Sequence, residues 1–403
     1  AILLAILSAP VALRAEDALN NLRISGNAQL DAQFYGKDAA IGAKDIDEKL
    51  RSNGFLNLNI SSGAFRGGIR YENYLNPLDG YGDDYKGNGI AFRFFEFQGE
   101  EFDVTAGNFY EQFGSGLILR SYEEKALGID NAIDGLRVRY RPAKGIELKG
   151  LIGKQRKFWD LSDGIVRGAD LNISLTDVFD GLFPSTSQVT FGASVVSKFE
   201  QSTDMTLNLP ENVLAWSTRL GINGSWYNAD AEFAYKYNDP HEANEYSFNP
   251  GTGLIVNTSV FGDGIGFSLN LHRIDNMDFR TDRSSALTTT TLSYVPPLTR
   301  QHAYRLTSMY PFSTQLNGEV GLQAEFTYSF PDDSPLGKGA SMTLNYSIVK
   351  AIDTTSKGND SLRQYNSNFF STGDRTYFQD FNIDFAKRSE EHTSELQSHL
   401  NLV

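Results

Sequence analysis

VGLQAEFTYSF, at residues 320–330, alternates apolar side chains with polar or small ones over its whole length. Successive side chains of a β-strand point to opposite faces, so this spacing predicts a strand with one apolar and one polar face. The sequences LRISGNAQLDAQF at residues 22–34 and ASMTLNYSI at residues 340–348 repeat the pattern near the two ends of the chain. We therefore expect this two-faced strand to be the repeating unit of the fold.

Comparable alternation recurs between these segments, with no linker or shift of composition to mark a domain boundary. The further predicted strands are 50–62, 63–75, 89–98, 101–109, 133–142, 145–156, 188–201, 213–223, 225–239, 253–261, 263–272 and 300–309, with 165–174 and 375–387 as two weaker candidates. The pattern predicts an all-β protein, with residues 16–387 forming a single domain.

Short and long connections alternate along most of the chain. The short ones are 61–63, 142–145 and 228–229, and the long ones are 76–88, 110–131, 157–187, 202–212, 240–252, 273–299 and 351–374. Outer-membrane barrels have short periplasmic turns and longer external loops, and strands of this length cross a bilayer when tilted. We therefore predict an antiparallel transmembrane β-barrel of about 16 or more strands in the cell outer membrane, in contact with its lipid. A secreted sandwich or propeller is the structural alternative.

The composition excludes several classes of protein. The 403 residues carry a formal net charge of -14, with 36 Lys and Arg against 50 Asp and Glu, so a sequence-independent nucleic-acid surface is not expected. The absence of cysteine excludes a disulfide framework, a thiolate metal site and a cysteine nucleophile. An apolar content of 40% is too high for a disordered chain.

Both ends of the sequence are unusual. Residues 1–13, AILLAILSAPVAL, are apolar apart from Ser8 and precede RAED, which is typical of a secretory signal, so residues 1–15 are predicted to be its remnant. A short buried helix is the alternative for this segment. Residues 388–398 read RSEEHTSELQS and resemble the translation of a common sequencing adapter. We accordingly expect residues 388–403 to be a non-native tail that truncates the barrel at its C-terminus.

Five segments together resemble a family of exported β-barrel proteins from Bacteroidetes and relatives whose function is unassigned. The longest is GNFYEQFGSGLILRSYEEKALGIDNAIDGLRVRY (Gly107–Tyr140), and the others are RSNGFLNLNI (Arg51–Ile60), GIRYENYLNPLDGY (Gly68–Tyr81), KGLIGKQR (Lys149–Arg156) and GIVRGAD (Gly164–Asp170). The resemblance covers about residues 20–387. It implies an outer-membrane barrel and somewhat longer chains, and it transfers no catalytic or binding residue.

The common enzyme motifs are missing. The sequence contains no Walker loop, no G-x-S-x-G elbow and no H-E-x-x-H pair, and its histidines have no neighbour at ligand spacing. We therefore predict no enzymatic activity, no cofactor and no metal site. Carboxylates in two predicted loops, namely Asp160, Asp163, Asp353 and Asp360, have the oxygen chemistry of a calcium site, but a solvated loop is the preferred interpretation of them.

The segment Glu111–Asp134 combines charge with apolar residues in one long connection. Its candidate residues for narrowing a pore are Glu111, Arg120, Glu123 and Glu124, and Phe113, Leu117, Ile118 and Leu119 lie between them. An external loop that packs on its own apolar residues is the preferred interpretation of this segment. Charged groups in a water-filled lumen avoid desolvation, so a loop that folds inward and constricts the barrel is the alternative.

Arginines recur at every second position of the strand predicted over 133–142. If Leu136, Val138 and Tyr140 face lipid, then Arg137, Arg139 and Arg141 line the lumen, because arginine on the lipid face costs about 2–4 kcal/mol at mid-membrane. By the same parity, Arg66 and Arg70 point inward on an earlier strand. These arginines either favour anionic solutes or pair with the carboxylates of the wall, for which we expect Glu72, Glu147, Glu319 and Glu325.

The pattern favours an outer-membrane barrel that passes or binds small polar or anionic solutes through its lumen. A non-conducting surface module is the alternative, in which Tyr-rich loops such as 76–88 and 286–304 bind a protein or glycan. A membrane-embedded enzyme that uses loop carboxylates is a third reading, and the missing nucleophile–histidine motif argues against it. The oligomeric state does not follow from the sequence.

Overall fold

The computed structural model describes residues 21–43, 45–202, 204–285, 289–302, 308–309, 311–335, 339–358, 362–387 and 400–402. The predicted signal remnant at 1–15 and residues 388–399 of the predicted tail lie outside this range. In the described range almost all regular structure is β. The strands are β1 (Arg23–Phe34), β2 (Leu50–Ser62), β3 (Phe65–Asn76), β4 (Gly87–Gln98), β5 (Phe102–Phe109), β6 (Glu123–Glu124), β7 (Ile129–Asp130), β8 (Ile133–Ala143), β9 (Ile146–Lys157), β10 (Asp160–Ser174), β11 (Ser187–Phe199), β12 (Asn212–Gly224), β13 (Tyr227–Lys236), β14 (Gly251–Gly262), β15 (Ile265–Asp275), β16 (Glu319–Ser329), β17 (Ala340–Ser356), β18 (Tyr365–Lys387) and β19 (Leu400–Leu402).

The helical elements of the described range are the helix α1 (Leu175–Val178) and the 3₁₀ turns Asp83–Tyr85, Lys125–Leu127 and Glu242–Asn244, and residue 308 is helical as well. No helix among the described residues is long and apolar enough to cross a membrane.

Seventeen strands form one antiparallel sheet in which each strand pairs with the next along the chain. β8 follows β5 directly in the sheet, because β6 and β7 form a separate hairpin within the connection between them. The second half of the sheet continues without a crossover from β13 to β18, and the short β19 adds to the end of β18. No ladder joins β1 to β18 in the part of the chain that the structure describes.

The predicted antiparallel all-β architecture of 16 or more strands is confirmed, and three predicted boundaries are wrong. Residues 300–302 and 308–309 belong to no strand, and 303–307 lie outside the described range. The predicted loop 351–374 shrinks to 357–364, because β17 and β18 continue as a long polar hairpin. The candidate strand 165–174 is confirmed as β10, but it begins earlier, at Asp160, because the chain turns back from β9 through Phe158 and Trp159, so the loop predicted over 157–187 is shorter.

The two faces of the sheet differ as the alternation predicts. Leu136, Leu148 and Ile152 are 43%, 40% and 46% exposed, although they are large and apolar. Asn345 and Ser347, by contrast, are almost completely buried on the opposite face. An apolar surface this extensive indicates contact with lipid, and arginines on the buried face avoid that lipid.

Candidate functional site

The connection between β5 and β8, residues 110–132, crosses the inside of the sheet, and we call it the inner loop. Phe113, Leu117, Ile118 and Leu119 are completely buried. They pack against inward side chains of successive strands, namely Leu151, Val166, Val196, Val213, Ala215, Ala234, Ile255 and Ile274. Burial of a large aliphatic or aromatic side chain contributes about 1.5–3 kcal/mol, so four of them hold the loop firmly. The segment therefore folds inward against the wall and is not an external loop that packs only on its own apolar residues.

Glycines on the wall make room for the inner loop. A Cβ atom at Gly168 of β10 would lie 2.8 Å from the ring of Phe113, and one at Gly253 of β14 would lie 3.1 Å from Leu117. These two strands stand four places apart in the sheet, yet both contact the same loop. The sheet therefore curls around the inner loop.

A second loop inside the sheet supports the first. It belongs to the connection between β15 and β16, and we call its described residues, 276–285, 289–302, 308–309 and 311–318, the second inner loop. The amide of Arg120 donates to the carbonyl of Leu292 at 2.7 Å, and the amide of Tyr294 donates to that of Gly116 at 2.9 Å. The guanidinium of Arg120 also lies 3.8 Å from the ring centre of Tyr294, a cation–π contact. Backbone bonds of this kind fix the two loops to each other.

Ion pairs fasten the far side of the inner loop to β3 and β9. Arg70 pairs with Glu123 at 2.9 Å and also contacts Asp130, while Arg156 pairs with Asp130 at 2.6 Å. Glu72 forms ion pairs with both arginines, at 2.6 Å to Arg70 and 2.7 Å to Arg156. Removal of one partner from such a buried group typically costs about 3–5 kcal/mol. Burial raises the pKa of the Glu123 carboxyl above its usual value, although Arg70 opposes this shift.

The arginine ladder of β8 is paired along its whole length. Arg137 lies 3.2 Å from Glu96 and 3.3 Å from Glu111. Arg141 lies 2.7 Å from Asp103. Arg139 makes longer contacts, 3.7 Å to Asp103 and 3.6 Å to Glu147, and Lys149 adds a 3.0 Å pair with Glu111. The four cations therefore face four carboxylates, and the local formal charge is balanced.

Two of the four expected wall carboxylates pair with the predicted arginines. Glu147 contacts Arg139, and Glu72 pairs with Arg70 and also with Arg156. The other two bind elsewhere, since Glu319 pairs with His272 and Glu325 with Arg300. The partners differ because strand parity fixes the face of a side chain but not its height along the barrel.

The nine predicted lumen residues fall into separate groups. Arg70 joins Glu123, Glu111 joins Arg137, and Arg139 and Arg141 share Asp103. Arg120 binds tyrosine rings between the two inner loops. Arg66 and Glu124 are exposed, the first near the turn after β2 and the second on the β6–β7 hairpin, where it caps the amide of Ala126. Sequence patterns gave no signal for the roles of Arg156, Arg219, Asp170 and Glu232, whereas Asp130 lies in the predicted charged segment.

A cavity of about 810 Å³ lies beneath the tip of the inner loop, towards the short-turn end of the barrel. Gly114 and Ser115 of the loop border it on one side, and Arg141, Arg219 and Glu232 lie on its walls. The volume falls within the range of pockets that hold small molecules.

An antiparallel sheet that is apolar outside, ion-paired inside and filled by its own loops defines a β-barrel protein of the outer membrane. Within that class the chain belongs to a family of unknown function, DUF6029, whose model matches residues 1–402. This agrees with the predicted family of unassigned function, and its origin in Bacteroidetes stays a prediction. No curated protein matches the sequence.

Solved structures with a similar course of the chain come from outer-membrane proteins of other bacteria. OpdL of Pseudomonas aeruginosa has 13% identity and a TM-score of 0.44, over 91% of this chain and 86% of that one. A BenF-like porin from Pseudomonas fluorescens Pf-5 has 13% identity and a TM-score of 0.40, over 95% and 98%. The outer membrane protein opdK of Pseudomonas aeruginosa has 9% identity and a TM-score of 0.36, over 82% and 93%.

Proposed function

We propose that this protein is an outer-membrane channel for small polar solutes and that the inner loop narrows its lumen. The observation that carries the proposal is the cavity under the loop tip, which is bordered by charged side chains of four strands and by the loop itself. A cavity with charged side chains on its wall, next to a loop that narrows the lumen, is the arrangement expected of a selective pore.

The wall away from the inner loop supports a path for water. Asn27, Gln29 and Asp31 on the inner face of β1 are exposed, as is Asn59 on β2. Polar side chains that are open to solvent inside a barrel are typical of porin-like proteins. This wall gives a hydrated route beside the packed loops.

The alternative of a surface module that binds through Tyr-rich loops receives less support. In the loop between β3 and β4, Tyr85 is buried and Tyr81 is partly buried. Both rings pack on Tyr74, and the Tyr85 hydroxyl donates to the carbonyl of Gly128 in the inner loop. These tyrosines therefore stabilise the barrel interior and do not present a surface to a partner.

The test is single-channel recording of the full-length protein in planar bilayers, before and after shortening of the inner loop. Gln112 and Arg120 already pair as a β-bridge, so two glycines can replace Phe113–Leu119 and close the hairpin. We expect the conductance to rise several-fold because the constriction is removed. A matched replacement of the seven residues 36–42 in the β1–β2 loop by two glycines should leave it unchanged. Absence of any open level in the wild type and in the shortened protein contradicts a channel.

A further inference from the structure

Glu232 on β13 is a buried carboxylate without a cationic partner in the part of the chain that the structure describes. Its side chain is 4% exposed and borders the cavity under the inner-loop tip. The amide of Ser115 donates to Oε2 at 2.6 Å, and Oε1 has no hydrogen-bond partner. A buried charge of this kind is costly unless a cation or a set of donors completes it.

The cation that stands directly opposite Glu232 is engaged elsewhere. Arg219 on β12 is its cross-strand neighbour on the inner face. The guanidinium turns instead to Asp170 at 2.6 Å, and it also donates to Asn172 and Ser194 at 2.6 Å each. Three partners on β10 and β11 therefore hold Arg219 away from the carboxylate across from it. The free oxygen of Glu232 is left for a ligand.

The other charges on the cavity wall do not compensate for Glu232. Each of the three basic residues on the cavity wall forms an ion pair with another carboxylate. Arg141 pairs with Asp103, Arg219 with Asp170 and Lys144 with Asp177. Asp230, two residues from Glu232 on the same face of β13, accepts only from the Asn257 amide among the described contacts. Side chains two apart on a strand are about 6.6 Å from each other. The wall thus presents two unpaired acids to the cavity.

We propose that Glu232 and Asp230 bind the ammonium group of a small organic cation or zwitterion in this cavity. An ammonium group carries three donors and one positive charge, which suits a free carboxylate oxygen with a second acid nearby. A divalent metal fits less well, because no group of three or more His, Asp or Glu in the described range is placed to hold one. The inference rests on the proposed channel function and names its class of solute.

The geometry of this site depends on where the tip of the inner loop lies. Gly114 has a φ of +54°, and a Cβ atom there would lie 2.3 Å from Oε2 of Glu232. Only glycine allows the loop tip to approach the carboxylate so closely while Ser115 donates to it. The loop that narrows the lumen therefore also orients the binding group.

The test is calorimetric titration of the folded, detergent-solubilised full-length protein with 1,4-diaminobutane, and with 1,4-butanediol as the uncharged analogue. We expect the diamine to bind and the diol not to. Glu232→Gln retains an acceptor for Ser115 but removes the charge, so it should weaken diamine binding about tenfold or more. Gly114→Ala should weaken it as well, since the added methyl group displaces the carboxylate or the loop tip.

Glu242→Gln is the matched control, because it removes one exposed carboxylate from the loop after β13 and should leave the affinity unchanged. Equal binding of diamine and diol, or unchanged affinity in a folded Glu232→Gln variant, overturns the ammonium site. Binding of Ca²⁺ that depends on Glu232 without binding of the diamine also overturns it. If the protein binds the diamine but shows no conductance, the proposed channel function is refuted and the ammonium site is supported.

Discussion

The inner faces of two parts of this barrel differ in chemistry although their strands follow the same alternation. On β10–β15, which we call the filled wall, Val166, Val196 and Ala234 point inward and are completely buried under the inner loop. On β1 and β2, which we call the open wall, the inward residues Asn27 and Asn59 are polar and exposed. The comparison teaches that a barrel strand which is apolar on both faces marks the place where a loop packs inside.

That signal is visible in the sequence of β12, NVLAWSTRLGING at residues 212–224. Leu214 and Trp216 face outward and are 38% and 37% exposed, whereas Val213 and Ala215 face inward and are buried. A strand that met water on its inner face would carry polar residues at the latter two positions, as β2 does with Asn57 and Asn59.

The two walls should differ most in the free energy of folding that is lost when a new carboxylate is placed on each of them. Val196→Asp places a carboxylate against the apolar residues of the inner loop, which should cost roughly 4 kcal/mol or more of folding free energy. Asn59→Asp adds the same charge to the open wall and should change stability by less than about 0.5 kcal/mol. Unfolding in guanidinium, followed by tryptophan fluorescence, and heat-modifiable gel mobility measure both. Equal effects would show that the inner loop does not pack on β11.

The next largest difference in stability is expected between an arginine on the outer face of the barrel and an arginine at the neighbouring position on the inner face. Leu322→Arg puts a charge on the lipid face of β16 and should destabilise the barrel by about 2–4 kcal/mol. The side chain at position 323 points into the lumen, so Gln323→Arg removes only the 2.9 Å hydrogen bond to Asn345, which contributes about 1 kcal/mol. The yield of folded protein in bilayers reports the difference. A reversed order would mean that the two faces of β16 are interchanged.

A smaller effect concerns His241, which lies completely buried in the loop that extends the filled wall. Burial lowers the pKa of this imidazole from 6.5 to about 4. Because the folded state resists protonation that the unfolded chain accepts, stability should be full above pH 6.5 and fall as the pH drops towards 4. The loss between pH 7 and pH 5 should be about 2 kcal/mol. Denaturant titrations at several pH values measure it, and His241→Gln should flatten the curve.

The smallest effect is expected at the arginine ladder, which joins the two walls along β8. Arg139 is one-third exposed, and its contacts of 3.6 Å and 3.7 Å are loose, so Arg139→Gln should change stability by less than about 1 kcal/mol.

Replacement of Arg137, Arg139 and Arg141 by glutamine should shift the reversal potential in a salt gradient towards cation preference, because the carboxylates that pair with these arginines remain. An unchanged potential in a conducting variant would assign the ladder to wall structure alone.

Period-two alternation predicted the local structure well. It located the long strands, their antiparallel meander and the face that meets lipid, because each of these depends on neighbouring residues alone. The strand predicted at residues 300–302 is wrong, because the polar side chains there form ion pairs with another strand. Arg300 contacts Asp384, and His302 lies 3.0 Å from Asp380 on the inner face of β18.

The sequence by itself determined the barrel, its two faces and the loop with enough charge and apolar surface to fold inward. Only the tertiary structure decided which wall that loop packs on and which carboxylates remain unpaired. Arg219 and Glu232 are neighbours across a ladder, yet Asp170, 49 positions away along the chain, takes the guanidinium. Alternation encodes the side on which a residue lies. It does not encode its height or its neighbours across the lumen, which depend on strand register and on loops packed far from the residue in sequence.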